Sequence, residues 1–290
     1  MMKSILVLRG GALGDFLVTL PALQALRARW PAARIDLVGN GRAAVLGAEA
    51  GLLDSVAAQD RGGWHTVYTA SPDPVLLRRL SAYDVIINFW PDPEGDLAGL
   101  FPLCRDQQFI AAPAHPSCGP AARHYLAALA PLDVGDTPLL RPLRNHRPQA
   151  GRIAIHAGSG SPAKNWPAEN WRHLITWLHE IGFTDTHLIR GEAEPPDLLT
   201  GLTDTWDSLP LTQLADELAC CALFLGHDSG VSHLAAACGC PGLLLFGPTD
   251  PTVWAPPAST MRVLQTPPPM DNLSLGRVQQ ELRAVLSGQR

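Results

Sequence analysis

The 290-residue chain lacks several features that would assign it quickly to a class. No uncharged apolar run reaches the roughly 18 residues of a membrane-spanning helix, because Gly, Pro or Asp interrupts the longest runs. The first residues lack the apolar stretch and small-residue cleavage site of a secretory signal. The six cysteines form no C-x-x-C pair and show no histidine spacing typical of zinc sites. We therefore expect a soluble cytoplasmic chain with reduced thiols and no metal.

The chain also lacks an excess of basic residues, since its formal net charge is -5. Proteins that bind nucleic acid usually carry a basic excess, so we expect no nucleic-acid partner. Apolar residues make up 46% and charged residues 17% of the sequence, which is the balance of an ordered globular protein. The length predicts two compact units of roughly 130 to 150 residues each.

Short apolar strands alternate with amphipathic helices along both halves, which indicates an α/β fold with parallel sheets. The spacing predicts strands over 5–8, 35–38, 55–58, 84–89, 152–155, 186–189, 222–225 and 242–246. It predicts helices over 17–30, 168–181, 211–220, 231–238 and 273–286. Because an interior proline is costly in a helix, Pro21 favours a regular helix that starts nearer Thr19.

A segment with three prolines, 136–151, divides the two halves. We predict a Rossmann-like first domain over 1–140, a linker over 141–151 and a Rossmann-like second domain over 152–270. A C-terminal helix in 271–290 follows, and packing against the first domain is one arrangement open to it. Ligands of such sheets bind beyond the carboxyl ends of the strands, so we expect the chemistry in the loops that follow strands.

The loop after the first strand carries glycines at 10, 11 and 14 and then Asp15. These glycines do not fit the dinucleotide pattern G-x-G-x-x-G. Asp15 has two interpretations of equal weight, a helix N-cap or a general base that accepts a proton from an attacking hydroxyl. Asp36 lies about twenty residues further on, where a ribose-binding acid would stand, but it falls inside a predicted strand and is discounted.

Two loops of the second half favour anion binding. The loop over 156–167 joins small residues, among them Gly158 and Ser159, to the cation Lys164, which suits a phosphate but also describes an ordinary solvated connection. It has no Walker pattern.

The second of these loops, over 226–233, starts a helix whose N-terminus would attract a diphosphate. Its candidate residues are Asp228, Ser229, Gly230 and His233. Either Asp228 or Ser229 is expected to be the N-cap. His233 is interpreted either as a hydrogen-bond donor to the ligand or as a packed histidine. The rigid turn over 246–251 follows the next strand. In another loop, either Glu192 or Glu194 is a candidate to bind ribose hydroxyls, and the alternative is an acid that interacts with the dipole of a helix start.

Together these loops resemble the ADP-heptose:lipopolysaccharide heptosyltransferases, glycosyltransferase family 9. The resemblance covers nearly the whole chain and lies in three motifs, RGGALGDFLVTLPALQALRARWP, HAGSGSPAKNWPAENW and GHDSGVSHLAAACGCPGLLLFGPTDPTVWAP, of which the last is the most specific. It implies a GT-B fold, with two Rossmann-like domains whose parallel sheets face a central cleft. The chain is shorter than a typical heptosyltransferase, mainly in the first domain, which in the family binds the lipid-linked acceptor.

The resemblance also implies roles. Asp15 matches the proposed catalytic base, and Ser159 and Lys164 match positions at the donor phosphates. Asp228, Gly230 and His233 match the donor-binding helix start, and either Glu192 or Glu194 matches the acid that holds the ribose. The implied reaction is an inverting, metal-independent transfer of a heptose or related sugar, without a cofactor, from a nucleotide sugar such as ADP-heptose.

The acceptor implied is a saccharide or lipid-linked saccharide such as the lipopolysaccharide core, and peripheral contact with the inner face of the cytoplasmic membrane stays open. Four arginines are candidates for meeting an anionic acceptor, although a solvated surface position is the more usual role for such residues: Arg27, Arg29, Arg34 and Arg42. The alternatives are a nucleotide-sugar epimerase or hydrolase on the same scaffold and an inactive nucleotide-sugar-binding protein.

Overall fold

The structure is a computed structural model that describes residues 3–69, 71–116, 119–134, 140–192, 194–195 and 197–287. The chain divides into two compact units, Met1–Arg141 and Pro142–Arg290. Each unit is built on one sheet whose strand pairs are all parallel, with helices between the strands. The predicted α/β class is confirmed.

The sheet of the first unit has five strands in the order β3-β2-β1-β4-β5. These strands are β1 (Ser4–Arg9), β2 (Arg34–Gly39), β3 (Ser55–Ala58), β4 (Val85–Asn88) and β5 (Gln108–Ala111). The helices are α1 (Leu13–Leu17), α2 (Leu20–Arg29), α3 (Gly41–Glu49), α4 (Pro74–Leu80) and α5 (Ala121–Ala127). The four apolar residues of β1, from Ile5 to Leu8, are buried on both faces of the sheet, which explains its unbroken apolar run.

The helical region after β1 consists of two helices rather than one. α2 begins at Leu20 with Thr19 as its N-cap, so the predicted start near Thr19 is confirmed. Pro21 lies in the first turn of α2, where a missing N–H breaks no hydrogen bond. α1 precedes it as a separate five-residue helix that contains Asp15. The sequence pattern did not predict this short helix.

The sheet of the second unit has six strands in the order β11-β10-β9-β6-β7-β8. These strands are β6 (Gln149–His156), β7 (Thr186–Arg190), β8 (Asp204–Asp207), β9 (Cys221–His227), β10 (Gly242–Phe246) and β11 (Met261–Gln265). The helices are α6 (Ala168–Glu180), α7 (Leu211–Ala219), α8 (Gly230–Ala237), α9 (Pro251–Trp254) and α10 (Leu275–Ser287). Within the described ranges, no helix is long and apolar enough to cross a membrane.

In each unit the direction of strand addition reverses next to the first strand. β1 lies between β2 and β4, and β6 lies between β7 and β9. At such a reversal the loops after two neighbouring strands leave the sheet in opposite directions, and a crevice opens between them. The loops after β1 and β4 therefore form one candidate region, and those after β6 and β9 form another.

The segment predicted as a linker is partly incorporated into the second unit. β6 begins at Gln149, and the backbone N–H groups of Leu143 and Arg147 donate to the carbonyls of Ala237 and Ala219. Residues 135–139, at the start of the proline-rich segment, lie outside the described residues.

The C-terminal helix α10 packs into the core of the second unit. Its buried residues Val278, Leu282 and Leu286 join the core cluster that contains Trp171 and Leu174 of α6. Because burial of large apolar side chains contributes most of a domain's stability, this contact explains the amphipathic pattern of the helix. Residues 288–290 lie outside the described part of the chain.

Gly39 generates a prediction about the first sheet. A Cβ atom at Gly39 would collide with the backbone carbonyl of Arg9 on the neighbouring strand, and backbone cannot swing aside as a flexible side chain can. We expect Gly39→Ala to lower the free energy of unfolding by about 2 to 3 kcal/mol, measured by chemical denaturation. Gly41→Ala is the matched control, because a Cβ there meets nothing within 4 Å. Equal stability of the two variants would contradict the predicted steric cause.

Candidate functional site

Asp15 is held from two sides by the loop that follows β1. Its Oδ2 accepts a hydrogen bond of 2.8 Å from the backbone N–H of Ala12, and its Oδ1 lies 3.2 Å from the guanidinium of Arg9. The side chain is 33% exposed. The N-cap of α1 is Ala12, so the interpretation of Asp15 as the N-cap is wrong: Asp15 is the third helical residue, and its carboxylate reaches back to the N-cap backbone. The partly exposed carboxylate remains in contact with solvent.

Arg9 is the buried partner of Asp15. It is 5% exposed, its Nε donates to the carbonyl of Asp15 at 2.7 Å, and its guanidinium lies 4.5 Å from the ring centroid of Tyr125. A cation over an aromatic face is stabilised by the ring's electrons. Arg9 therefore fixes the direction of Asp15, and its donors are largely used in doing so.

Asp15 lines a cavity of about 710 Å³ at the carboxyl ends of β1 and β4. Aromatic side chains form much of its wall, among them Trp64, Tyr68 and Trp90. Gly11, which also lines the cavity, has a φ of +90°, and a side chain there would collide with the Asp15 carboxylate. The glycine therefore keeps Asp15 accessible from the cavity. The sequence pattern predicted Asp15 but none of these aromatic residues.

The second unit organises its two candidate loops around His227, the last residue of β9. His227 is completely buried, and its Nε2 accepts a hydrogen bond of 2.9 Å from the backbone N–H of Trp166. Its Nδ1 therefore carries the proton and lies 3.3 Å from the carbonyl of Gly158. Burial lowers the pKa of His227 from 6.5 to about 3, so the ring is neutral at physiological pH. Sequence analysis did not identify this residue.

Lys164 lies between the two ends of the loop that His227 holds. Its Nζ contacts Asp228 Oδ2 at 2.7 Å, and the Thr249 hydroxyl donates to the same oxygen at 2.8 Å. The loops after β6, β9 and β10 thus meet at one carboxylate. The structure brings together Lys164 and Asp228 as predicted and adds Thr249, which lies in the turn over 246–251.

The N-terminus of α8 lies next to this ion pair. Ser229 is the N-cap, and its hydroxyl accepts from the backbone N–H of Ser232, so the open choice between Asp228 and Ser229 is settled for Ser229. Gly230 is the first helical residue and His233 lies buried within the first turns. The Ser232 hydroxyl donates to the His227 carbonyl, which ties the helix start to the end of β9.

Ser159 is engaged inside its own loop. Its hydroxyl lies 2.6 Å from Asn165 Oδ1 and 2.8 Å from the carbonyl of Ser161, and it has one proton to donate to either. The backbone N–H of Ser161 points back to it at 3.3 Å. These contacts shape the turn that presents Lys164. A direct role of the hydroxyl at a phosphate stays a prediction.

The two acids after β7 occupy different environments. Glu194 is buried, with Oε1 3.4 Å from His156 Nε2 and Oε2 accepting from the backbone N–H of Gly191 at 2.8 Å. The hydrogen bond from His156, with that of Gly191, holds the pKa of Glu194 below its usual value. A side chain at Gly158 would collide with this carboxylate. Glu192 is exposed, and it is the acid with room to approach a ligand.

A second cavity, of about 520 Å³, lies at the carboxyl ends of β10 and β11. Thr249 and Asp250 line it together with Gln265 and Thr266, so it borders the Lys164–Asp228 pair through Thr249. The side chain of Asp250 caps α9 by accepting from the backbone N–H of Thr252. A nucleoside would find both apolar proline surface and polar groups here.

The cysteines of the described part of the chain are free thiols. Cys221, Cys238 and Cys240 are buried, Cys104 is exposed, and all of them are free thiols, as is Cys220. Among the described residues, no three His, Cys, Asp or Glu side chains converge as a metal site would require. Cys118 lies outside those residues.

The sequence of the second unit matches a known family. Residues 140–274 match the sequence model of glycosyltransferase family 9 (heptosyltransferase). This segment belongs to family 9. It contains Lys164, Asp228 and the start of α8, so the family's most specific motif coincides with the ion pair and helix start described above.

Curated relatives agree with this assignment. Lipopolysaccharide heptosyltransferase 1 of Salmonella typhimurium is 37% identical over 106 residues, which are 34% of this chain and 32% of that protein. The protein of the same name from Pseudomonas aeruginosa is 34% identical over 128 residues, 42% of this chain and 36% of that protein. The aligned part thus spans about a third of the length of these relatives.

Solved structures show that the chain has the GT-B fold. The glycosyl transferase family 9 structure from Veillonella parvula has a TM-score of 0.78 at 21% identity, covering 99% of this chain and 97% of that one. The E. coli heptosyltransferase WaaC with ADP has a TM-score of 0.75 at 19% identity, covering 97% and 99%. At these identities the likeness establishes the fold alone.

His227 generates a prediction about pH. Because its pKa is lowered in the folded state, its contribution to stability is complete above pH 6.5 and is lost as the pH falls from 6.5 towards about 3. Between pH 7 and pH 5 the exposed ring takes up a proton in the unfolded chain but not in the folded one. This difference lowers the free energy of unfolding by about 2 kcal/mol. We expect His227→Gln, which cannot be protonated, to be less pH-dependent than the unaltered protein by that amount in denaturation experiments.

His173→Gln is the control, because His173 is an exposed residue of α6. The unaltered protein and this control should lose stability in parallel between the two pH values. If His227→Gln followed the same curve as the control, the assignment of His227 as a buried neutral ring would be wrong.

Proposed function

We propose that the protein is an inverting glycosyltransferase that moves a heptose or related sugar from an ADP-sugar to a saccharide acceptor, such as the lipopolysaccharide core. One observation carries the proposal: Lys164 lies 2.7 Å from Asp228 at the N-terminus of α8, inside the segment that belongs to family 9. The ADP in the solved WaaC structure supports the same class of donor.

The donor diphosphate is proposed to bind between Lys164 and the start of α8. An ammonium group has three N–H donors, so Lys164 can keep its contact with Asp228 and still donate to phosphate oxygens. The unpaired N–H groups at the start of α8 add partial positive charge. Asp228 acts in this proposal as the residue that aims Lys164, and His233 supplies a further donor to phosphate or sugar.

The nucleoside is assigned to the cavity at the ends of β10 and β11, next to Thr249. Glu192 is the proposed ribose acid, because Glu194 is buried against His156 and Gly191. A carboxylate accepts hydrogen bonds from two vicinal hydroxyls with good geometry. Gly158 and Ser159 complete the donor side by shaping the loop that precedes Lys164.

In the proposed reaction Asp15 removes the proton from an acceptor hydroxyl. The oxygen of that hydroxyl forms a bond to the anomeric carbon of the donor sugar. The bond from that carbon to the diphosphate oxygen breaks, and ADP leaves with the electron pair. The configuration of the anomeric carbon inverts because the acceptor oxygen attacks one face of that carbon and the diphosphate leaves from the opposite face. The charge that develops on the leaving group is met by Lys164 and α8, so no metal or cofactor is required in the proposal.

Replacement of Lys164 tests the donor site. We expect Lys164→Ala to weaken ADP binding by about 1.5 to 3 kcal/mol in titration calorimetry, because a charge-assisted contact is removed. Lys3, the other lysine in the sequence, lies in the first unit, and Lys3→Ala should bind ADP normally. Unchanged ADP affinity in Lys164→Ala would refute the phosphate role.

Replacement of Asp15 tests the base. Asp15→Asn keeps an oxygen for the Ala12 N–H and removes the proton acceptor, so we expect turnover to fall by roughly two to four orders of magnitude with ADP affinity unchanged. Turnover is measured as ADP release from ADP-heptose with and without acceptor, which separates transfer from hydrolysis. Asp106→Asn, in an exposed turn, is the control. Near-normal turnover in Asp15→Asn would remove the base assignment.

A further inference from the structure

His156, the last residue of β6, is a buried titratable group that the proposed reaction does not use. Its side chain is 5% exposed, and both ring nitrogens have partners. Nε2 lies 3.4 Å from Oε1 of Glu194, whose side chain is 7% exposed. Nδ1 lies 3.2 Å from the hydroxyl oxygen of Ser229. The histidine therefore connects the loop after β7 to the N-cap of α8.

The Ser229 hydroxyl continues this chain of contacts. It lies 3.2 Å from the Ser232 hydroxyl, and the Ser232 hydroxyl donates to the carbonyl of His227. The Ser229 oxygen also accepts from the backbone N–H of Ser232 at 3.4 Å. A line of hydrogen-bonding groups thus runs from Glu194, through His156 and the two serines, to the end of β9.

The number of protons in this line fixes the state of one ring nitrogen. Three contacts join the Nδ1 atom of His156, the two serine hydroxyls and the His227 carbonyl, and each contact needs one proton. Each hydroxyl has one proton to donate, and the carbonyl has none. Because Ser232 donates to the carbonyl, Ser229 donates to Ser232. The third proton therefore belongs to Nδ1.

The other ring nitrogen faces an ionised carboxylate. The hydrogen bond from His156, together with that of Gly191, holds the pKa of Glu194 below its usual value, so this acid is ionised at neutral pH. An ionised carboxylate only accepts hydrogen bonds, so Nε2 of His156 also carries a proton. A ring protonated on both nitrogens is an imidazolium. Its positive charge offsets the buried charge of Glu194.

The groups around this pair are arranged to fit a charged ring. A Cβ atom at Gly158 would collide with the Glu194 carboxylate, so the glycine leaves room for the acid beside the histidine. Burial, and after it the charge of His156, lowers the pKa of the neighbouring His227, which stays neutral. At the start of α8, Lys164 and Asp228 pair with each other at 2.7 Å. Without the charge of His156, Glu194 would add a net negative charge beside the diphosphate site.

We propose that His156 is a positioning residue of the donor site: as an imidazolium it holds the Ser229 N-cap through Nδ1 and cancels the charge of Glu194, so that α8 can receive an anionic diphosphate. This inference rests on the proposed transferase function and gives a role to the acid that is not assigned to the ribose. Loss of the ring proton leaves one net negative charge next to the diphosphate, so the affinity for ADP falls as the pH rises through the titration of His156.

The charge of the ring can be measured directly in the whole protein by NMR. Histidine is labelled with ¹⁵N, and the ring signals that disappear in His156→Gln identify His156. At about pH 7 both ring nitrogens of His156 should have the chemical shift of a protonated nitrogen, whereas a neutral ring has one protonated and one unprotonated nitrogen. A neutral ring in the unaltered protein would overturn the inference.

Glu194→Gln tests whether the acid holds the proton on the ring. The amide keeps the shape of the side chain but removes its charge, so the buried ring should be neutral at the same pH, because desolvation favours the neutral form. An imidazolium in both proteins would contradict the role of Glu194. Glu180→Gln, at the exposed last residue of α6, is the control and should leave the His156 signals unchanged.

Titration calorimetry with ADP tests the effect of the charge on the donor site. His156→Gln leaves the Glu194 carboxylate without its cation, and we expect ADP to bind about tenfold more weakly at about pH 7. The double variant His156→Gln, Glu194→Gln removes both charges, and its affinity should recover to within about threefold of the unaltered protein. Equally weak binding in the single and double variants would show that His156 only fills space. His173→Gln, an exposed histidine of α6, should bind ADP normally.

The inference and the proposed function fail in different ways. Absence of ADP binding to the unaltered protein would overturn the proposed donor site, while the ring signals of His156, which need no ligand, would still decide its charge. Normal ADP binding that is weakened in Lys164→Ala, but with no recovery in the double variant, would keep the transferase and overturn the role of His156.

Discussion

The candidate donor site depends on one buried neutral imidazole. His227 accepts from Trp166 and donates to Gly158, so it spans both ends of the loop that carries Lys164. The hydrogen bond from Trp166 needs the uncharged ring, because a protonated Nε2 cannot accept, and burial ensures the neutral state. Trp171 packs edge to face against His227 at 5.3 Å, which links the loop to the core through α6. The position of Lys164 is thus a property of the core rather than of a surface loop.

Much of the fold could be predicted from sequence because its signal is local. Apolar strands such as β1 and β10 are buried on both faces and appear as unbroken runs, and glycine-rich turns follow them. β8 was missed because its sequence, Asp204–Asp207, is mostly polar and exposed at the sheet edge. The five-residue helix α1 is too short to show a helical period.

The candidate site was predictable only where chemistry lies in a recognisable loop. Asp15, Lys164 and Asp228 each stand after a strand, where ligands of α/β sheets bind. The contact between Lys164 and Asp228 joins residues 64 positions apart and has no local signature. Trp64 and Trp90 lie in a 3₁₀ turn and a loop, outside any periodic pattern, so only the folded chain brings them to one cavity.

The ion pair between Lys164 and Asp228 has a consequence for ligand selection. Because the ammonium faces a carboxylate, the pair by itself offers little net attraction to chloride or to a single inorganic phosphate. A ligand gains substantially only when it reaches several anchoring points at once. A pair of opposite charges therefore distinguishes a ligand with several charged groups from a small anion.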